Sequence, residues 1–558
     1  MISRVLFIIL FFFAESLFLM AEMDRADERF GSKCGTFLPH NEKIASNRAL
    51  AKINDNGRPE LQKSYASSSG RFLIHYDIIG NNAVNLIDNN RNGIPDYIDS
   101  VCFYFNYVHK IEVEELHYLC PASDKGLGGS NAFDVYVLNI GKGNLNQKGL
   151  YGYTVAETKL PGGIKNRPRH SAYIVIDNDY SRRDSSYSNA HKKYATFRDT
   201  SWLGMKITIA HEYHHAVQFM YGEDAKAPSI NEMTSTWFEY RLFPETNDYM
   251  QYVEYLFKHP DKYTFGNGVS TSGYLYGIFG QYVYKKFGDN LLRRMWEIIA
   301  TGVQSYEALN KAFIERETTL AIKWCEFMEW LYYTNERSKP EFGFDHASDF
   351  PLMSYYKDVD FTEPSYLSSG WLLSYEFRFY RITLNKGSTK ITPASFDVII
   401  TNTNIKSAIF QSEYQMPYML KVVSKPMQDY KSIGRTGYYY IIEQEKGNIC
   451  EKSISTEGII TQAICYAFPN PFVLSRDNTI YFPAPHDAIY GTNVELLLLN
   501  SELQEIYRGQ HIVNTRGNKL IIELNSHILN NFGSGIYIFK VASTSSECRG
   551  KIAIINSE

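Results

Sequence analysis

Short apolar runs with alternating or continuous patterning open the chain after residue 70: Arg71–Asp77 (RFLIHYD), Phe133–Ile140 (FDVYVLNI) and Ala172–Asp179 (AYIVIDND). Gly- and Asn-rich loops bound them, so they predict strands. One helical pattern falls between, near residues 97–119. Over residues 203–340 the apolar spacing changes to threes and fours, as in 274–288 (YLYGIFGQYVYKKFG), 291–299 (LLRRMWEII) and 321–335 (AIKWCEFMEWLYYTN). That period predicts helices with a buried stripe. Alternation returns from Phe344 to about Thr461, in FDVIITNT and YYYIIEQE, and again beyond Tyr466 in IYFP, VELLLLN, KLIIEL, GSGIYIFKVAS and KIAII. The pattern predicts an α+β multidomain chain: a mixed sheet plus helices over 71–342, a β-sandwich over 343–461, and an all-β domain over 466–558. Residues 22–70 are polar and mixed, a lead-in or pro-segment.

The first 21 residues, MISR followed by VLFIILFFFAESLFLMA, have a basic start and a short apolar stretch broken by Glu15. This is the pattern of a cleaved secretory signal, cut after Ser16 or Ala21. It is too short to anchor, since a membrane span needs about 20 apolar residues. The expected location is therefore secreted or at the outer cell surface. No later segment is apolar enough for a transmembrane span.

With 558 residues, 44% of them hydrophobic, there is material for roughly two to four domains. A net charge of −4 offers no electrostatic case for nucleic acid or an anionic membrane. Seven cysteines suit an oxidising compartment but are too sparse for a disulfide framework. Cys325 reads as helix packing, and Cys450 and Cys465 are the pair most readily bridged.

The candidate chemistry sits in an unbroken helical stretch, Ile209–Gln218, which contains His211-Glu212-Tyr213-His214-His215. His211 and His215 are one turn apart and aim two imidazoles at one point, with Glu212 beside it. Zn2+ takes nitrogen donors at about 2.0–2.1 Å and, in catalytic sites, keeps a position open. A carboxylate alongside can take a proton from water and return it to a leaving amine. Relative to His211, Glu212 lies at about +100°, His215 at about +40° and His214 at about −60° around the helix. Pairing with His215 keeps ligands and base on one arc, which leaves His214 to pack or to support a ligand from behind. Glu232, in Ser229–Glu239 (SINEMTSTWFE), follows after a turn and a loop, so a second antiparallel helix would return it as third ligand. Glu239, two turns further on the same face, suits a partner that orients a histidine.

HEYHH followed by NEMTSTWFE resembles the gluzincin metallopeptidases, whose pattern is HExxH with an Asn-Glu pair on the next helix. A wider likeness, from about residue 70 to 340, is to a family of secreted bacterial metallopeptidases. The resemblance implies a zincin-like catalytic domain in which His211, His215 and Glu232 hold zinc and Glu212 is the general base for the attacking water. The chain departs from thermolysin in a shorter loop before Glu232 and in Thr236 where an acid would stand. It also lacks the Gly-Ala-Met-Glu-Asn signature of the aminopeptidases, which favours an endopeptidase acting on a protein or peptide substrate. Tyr274 and Tyr276, in GYLYG, are candidates to donate to the oxyanion of the tetrahedral intermediate, and Tyr276 is the one assigned that catalytic role.

A second candidate site precedes the first helical pattern. Asp88, Asn90, Asn92, Asp96 and Asp99 occupy positions 1, 3, 5, 9 and 12 of a calcium-type loop, with Gly93 at position 6 and the Ile94 carbonyl at 7. NGIPDYID also resembles the DxNxNGxPD segments of secreted bacterial proteins. The expected ligand is a structural Ca2+ held with modest affinity.

Tyr466-Ala467-Phe468-Pro469-Asn470-Pro471-Phe472, the SGIY turn and the terminal apolar strand resemble an Ig-like C-terminal sorting domain of the type IX secretion system. That implies the type IX secretion machinery as a partner and no part in catalysis. The alternative to a peptidase is a surface binding or adhesion protein whose zincin unit is degenerate.

Overall fold

The computed structural model describes residues 33–556, apart from 143–148, 165–166, 188–192, 223–226, 268–269, 340–341, 362–364, 385–393, 404–415, 427–435, 444–448, 456–466, 486–487, 501–503, 517–518, 530–531 and 544–546. The expected signal segment and the Cys450–Cys465 pair lie outside the described residues and side chains. The chain divides into two compact units: residues up to Ala312 with Pro340–Pro351, and Phe313–Lys339 with Leu352 onwards. Both fit the expectation of a multidomain chain of helices and sheets, the first combining helices with a sheet and the second dominated by strands.

In the first unit, helix α1 (His40–Leu50) precedes strands β1 (Lys63–Ala66) and β2 (Phe72–Tyr76), then helix α2 (Asp96–His109). Strands β3 (Phe133–Leu138), β4 (Gly152–Ile164) and β5 (Arg167–Asp177) complete a five-stranded sheet in the order β1-β2-β3-β5-β4. β2, β3 and β5 run parallel to one another, and the two outer strands are antiparallel to their neighbours. Every residue of β3 is buried, which is why its sequence is nearly continuous in apolar residues. β4 has only β5 beside it in the sheet, and it lies against the next helix, α3 (Trp202–Gln218).

From Gly204 onwards α3 is buried almost all round, so it carries no amphipathic stripe despite its histidines and glutamate. Helix α4 (Pro228–Leu242) starts with proline in its first turn, where the missing N–H costs nothing, and packs against α3. Next come α5 (Met250–Lys258), α6 (Ser270–Leu275) and α7 (Gly277–Phe287). Gly273, Gly277 and Gly280 form the face of α6 and α7 that meets α4. A Cβ on Gly273 would lie 2.4 Å from Glu232 Cβ, and one on Gly280 2.5 Å from Trp237 Cβ. These glycines let the backbones approach closely enough to fix the Glu232 turn of α4 in depth.

The lead-in is built into this unit from Lys33 onwards. Asn47 is fully buried, accepting from the Tyr153 hydroxyl at 2.5 Å and donating to that of Tyr173 at 3.0 Å. Arg58, also fully buried, meets Asp134 at 2.6 Å, Asp124 at 2.7 Å and Glu157 at 2.5 Å. A buried charge of that kind persists only when it is paired this thoroughly.

The second unit contains helix α8 (Leu320–Tyr332), which the apolar spacing placed with the helices of residues 203–340. Its partners explain the placement: Trp324 donates to Thr401 at 2.9 Å and Tyr332 to Asp397 at 2.6 Å, both on the strand Ala394–Asn402. Cys325 is disulfide-bonded rather than simple packing, as is Cys548. A four-stranded and a three-stranded sheet cover Lys357–Ser455. Beyond Ala467, Ile480, Phe482, Ile522 and Leu524 of one sheet share a core with Leu496, Leu498, Phe539, Val541 and Ile552 of another. No helix among the described residues is long and apolar enough to cross a membrane.

Candidate metal centre

Two helices and the lead-in bring four buried ligand-type side chains together: Cys34, His211, His215 and Glu232, with one donor atom from each lying within 4.8 Å of the others. His211 Nε2 is 3.1 Å from His215 Nε2 and 2.9 Å from Glu232 Oε2, and the remaining edge, His215 Nε2 to Glu232 Oε2, is 3.6 Å. A tetrahedral shell with bonds of about 2.0–2.1 Å has edges of roughly 3.3 Å, so these three atoms are spaced to share one ion. The 2.9 Å approach is not an aligned hydrogen bond, and neither Glu232 oxygen has a hydrogen-bond partner despite complete burial. Burial pushes the His211 imidazole down, but Glu232 and Glu239 outweigh it and raise it to about 10. Burial likewise opposes ionisation of Glu232, yet His211 and His215 bring it down to about 2. The pocket is therefore built around positive charge, and its donor set fits a divalent metal.

The far side of each imidazole is anchored. His211 Nδ1 lies 2.6 Å from Glu239 Oε1, and His215 Nδ1 lies 2.8 Å from Gln218 Oε1. Both contacts place the Nδ1 proton outward and leave Nε2 for the cluster. Glu239 is held in turn by Lys33, which bridges it at 2.5 Å to Asp248 at 2.7 Å. Gln218 donates to the Asn231 carbonyl at 2.9 Å, tying the end of α3 to the start of α4. Removing this anchor by Gln218→Ala should lower metal affinity about 10–100-fold while leaving the fold intact, measured by competition with a chromogenic chelator.

His214 points to the opposite side. Its Nδ1 is 3.0 Å from Glu112 Oε2 and its ring stacks near Phe238, with centroids 4.2 Å apart. Burial drives His214 well below and Glu112 well above their usual ranges, so the pair is neutral on both sides.

Glu212 Oε2 accepts hydrogen bonds from Thr36 and Thr154, each at 2.8 Å. A Cβ on Gly152 of β4 would lie 3.2 Å from Glu212 Cγ, so glycine there admits the carboxylate beneath the strand. Burial raises the Cys34 thiol well above its usual range, and the charges of Glu212 and Glu232 add to it. The thiol thus lies under the influence of both carboxylates.

The structure does not bring Tyr276 to this cluster. Its hydroxyl donates to the Tyr263 carbonyl at 3.0 Å and its ring packs on Phe265. Tyr274 is the neighbouring phenol, stacked on His211 at 5.8 Å between centroids, and its oxygen accepts the Cys34 N–H at 3.1 Å. Tyr276 sits at the break between α6 and α7, so it does not share the face of α6 that carries Tyr274. Cys34, Thr36, Thr154 and Gln218 carry no local signal in the sequence. Thr36 and Glu212, for example, are 176 residues apart.

In the upstream loop, Asn90 and Asn92 meet Asp99 by side chain, each donating to its Oδ2, at 2.9 and 2.8 Å. Asp88 holds backbone amides of the turn between them, accepting from Asn92 and Gly93 at 3.2 and 2.9 Å. Gly93 has φ +85°, the sharp turn that position requires. Asp96 turns to Asn89, at 3.1 Å from its N–H, and Ile94 gives its N–H to Asn92 at 2.8 Å.

No protein-family profile matches the chain, and no curated protein matches it. Among solved structures it is similar to neural ectodermal development factor IMP-L2 at 11% identity, over 36% of this chain and 88% of that one. With a TM-score of 0.10, that likeness carries no argument.

Proposed function

We propose that this protein is a zinc-dependent peptidase of gluzincin type, with His211, His215 and Glu232 as metal ligands and Glu212 as general base. The observation that carries the reading is the buried triangle of Nε2, Nε2 and carboxylate oxygen, delivered by two packed helices, with a second carboxylate next to it. A bound zinc would supply the Lewis acid that polarises a peptide carbonyl and acidifies water. The chain's own residues do the rest. Glu212 takes a proton at Oε2 and returns it to the departing amine, and Thr154 holds that carboxylate in place. Glu239 and Gln218 lock the imidazole tautomers. The Tyr274 hydroxyl, beside His211, is the group placed to donate to a developing oxyanion. β4, lying over α3, offers main-chain groups for an extended peptide. Elemental analysis of the purified protein, with chelator-sensitive cleavage of casein, tests the reading. A protein that binds no stoichiometric metal would overturn it in favour of an adhesive role.

The Asp88–Asp99 loop is proposed to hold a structural calcium, since Asn90 and Asn92 meet Asp99 and Asp88 holds the backbone of the Gly93 turn between them. Millimolar calcium should raise stability by about 1–2 kcal/mol, a shift of a few degrees in Tm. Asp99→Asn should abolish the shift, and an unchanged melting curve with calcium would count against the ion. Export through an N-terminal signal and a type IX sorting domain from about Tyr466 remains part of this proposal, supported by the sequence resemblance alone.

A further inference from the structure

We propose that residues 33–37 are a built-in inhibitor: Cys34 supplies a fourth ligand to the metal, and the segment occupies the ground that a substrate would take. This rests on the peptidase reading above and concerns how the same site is controlled. Contacts with several parts of the site support it. Cys34 joins the ligand cluster, filling the position that a catalytic centre keeps open. The backbone pairs in parallel with the start of β4, on the edge a substrate strand would use: Tyr151 N–H donates to the Lys33 carbonyl at 2.8 Å and Gly35 N–H to the Gly152 carbonyl at 2.9 Å. Thr36 engages Glu212, the proposed base, at 2.8 Å, while Phe37 stands edge-on to His215 with centroids 5.4 Å apart. Finally, the Cys34 N–H engages the Tyr274 hydroxyl, the proposed oxyanion donor. One short stretch thus engages ligand position, base, oxyanion donor and strand edge together.

The buried residues 33–36 give way through half-buried Phe37 and Leu38 to exposed Pro39, His40 and Asn41, and the chain is buried again by Lys43. A cut there would release the inhibitor while leaving Asn47 and Arg58 in the core. On ligation the Cys34 thiol gives its proton to solvent. When the segment leaves it takes the sulfur with it, regains a proton, and frees both Glu212 and the fourth position.

The test compares the full chain with its Cys34→Ala variant, each loaded with cobalt for spectroscopy and zinc for assay, and adds wild-type chain nicked within residues 38–41. Wild-type cobalt protein should show a thiolate-to-metal charge-transfer band in the near ultraviolet, absent from C34A at equal cobalt content. Casein cleavage should rise at least about tenfold in C34A and in the nicked chain, because both open the coordination position. Bound cobalt without the thiolate band overturns the inference. So does an intact chain that cleaves as fast as C34A and the nicked form, and in that case the peptidase reading stands. If the band is present but no form cleaves casein, Cys34 closes a structural centre, and the peptidase reading falls along with the latency.

Discussion

In a chain opened at Cys34, Glu212→Gln retains full metal content and loses casein cleavage by about 10²–10⁴-fold. The amide nearly matches the carboxylate in shape and can still accept from Thr154, whose hydroxyl also reaches the Glu212 carbonyl at 2.8 Å. It cannot take a proton from water. Because the proposed ligand atoms belong to His211, His215 and Glu232, the substitution removes none of them. Parallel measurement of metal content and turnover separates the two roles, and a variant that still cleaves at the parent rate removes Glu212 as the base.

The second large effect separates two adjacent histidines. His215→Ala should lose the metal, while His214→Ala should keep it. A buried metal site of this kind is worth about 10–16 kcal/mol, so losing one ligand of three or four costs roughly 3–4 kcal/mol, or on the order of 10²–10³ in affinity. His214→Ala instead strands the buried Glu112 carboxyl, at a cost of about 1–3 kcal/mol in stability. Chelator competition reads the first effect and thermal unfolding the second. Metal loss in the His214 variant with retention in the His215 variant would reverse the ligand assignment.

Much of this arrangement was legible because it is local. One helical turn relates His211 to His215, and two relate Glu232 to Glu239, so spacing alone predicted which side chains share a face. The strands around β3 were legible for the same reason, since burial on both faces leaves a continuous apolar run. Helix α8 shows the limit: its apolar stripe was readable, but not that the stripe's neighbours lie on the strand Ala394–Asn402. Tyr274 and Tyr276 show it again. Each fits a phenol at the site, and only the packing of α6 and α7 against α4, set by Gly273 and Gly277, decides between them.

The sequence by itself determined the helices that carry two imidazoles and a carboxylate, and the loop whose oxygen side chains are spaced for a cation. Helical period and turn chemistry act over a few residues, so a linear string records them. Tertiary structure alone decided that a cysteine from the lead-in reaches the same cluster, that Thr36 and Thr154 grip Glu212, and that Lys33 bridges Glu239 to Asp248. Those contacts join segments far apart in the chain. Burial, which makes an unpaired charge or donor costly, selects them only once the sheet and helices have closed around them.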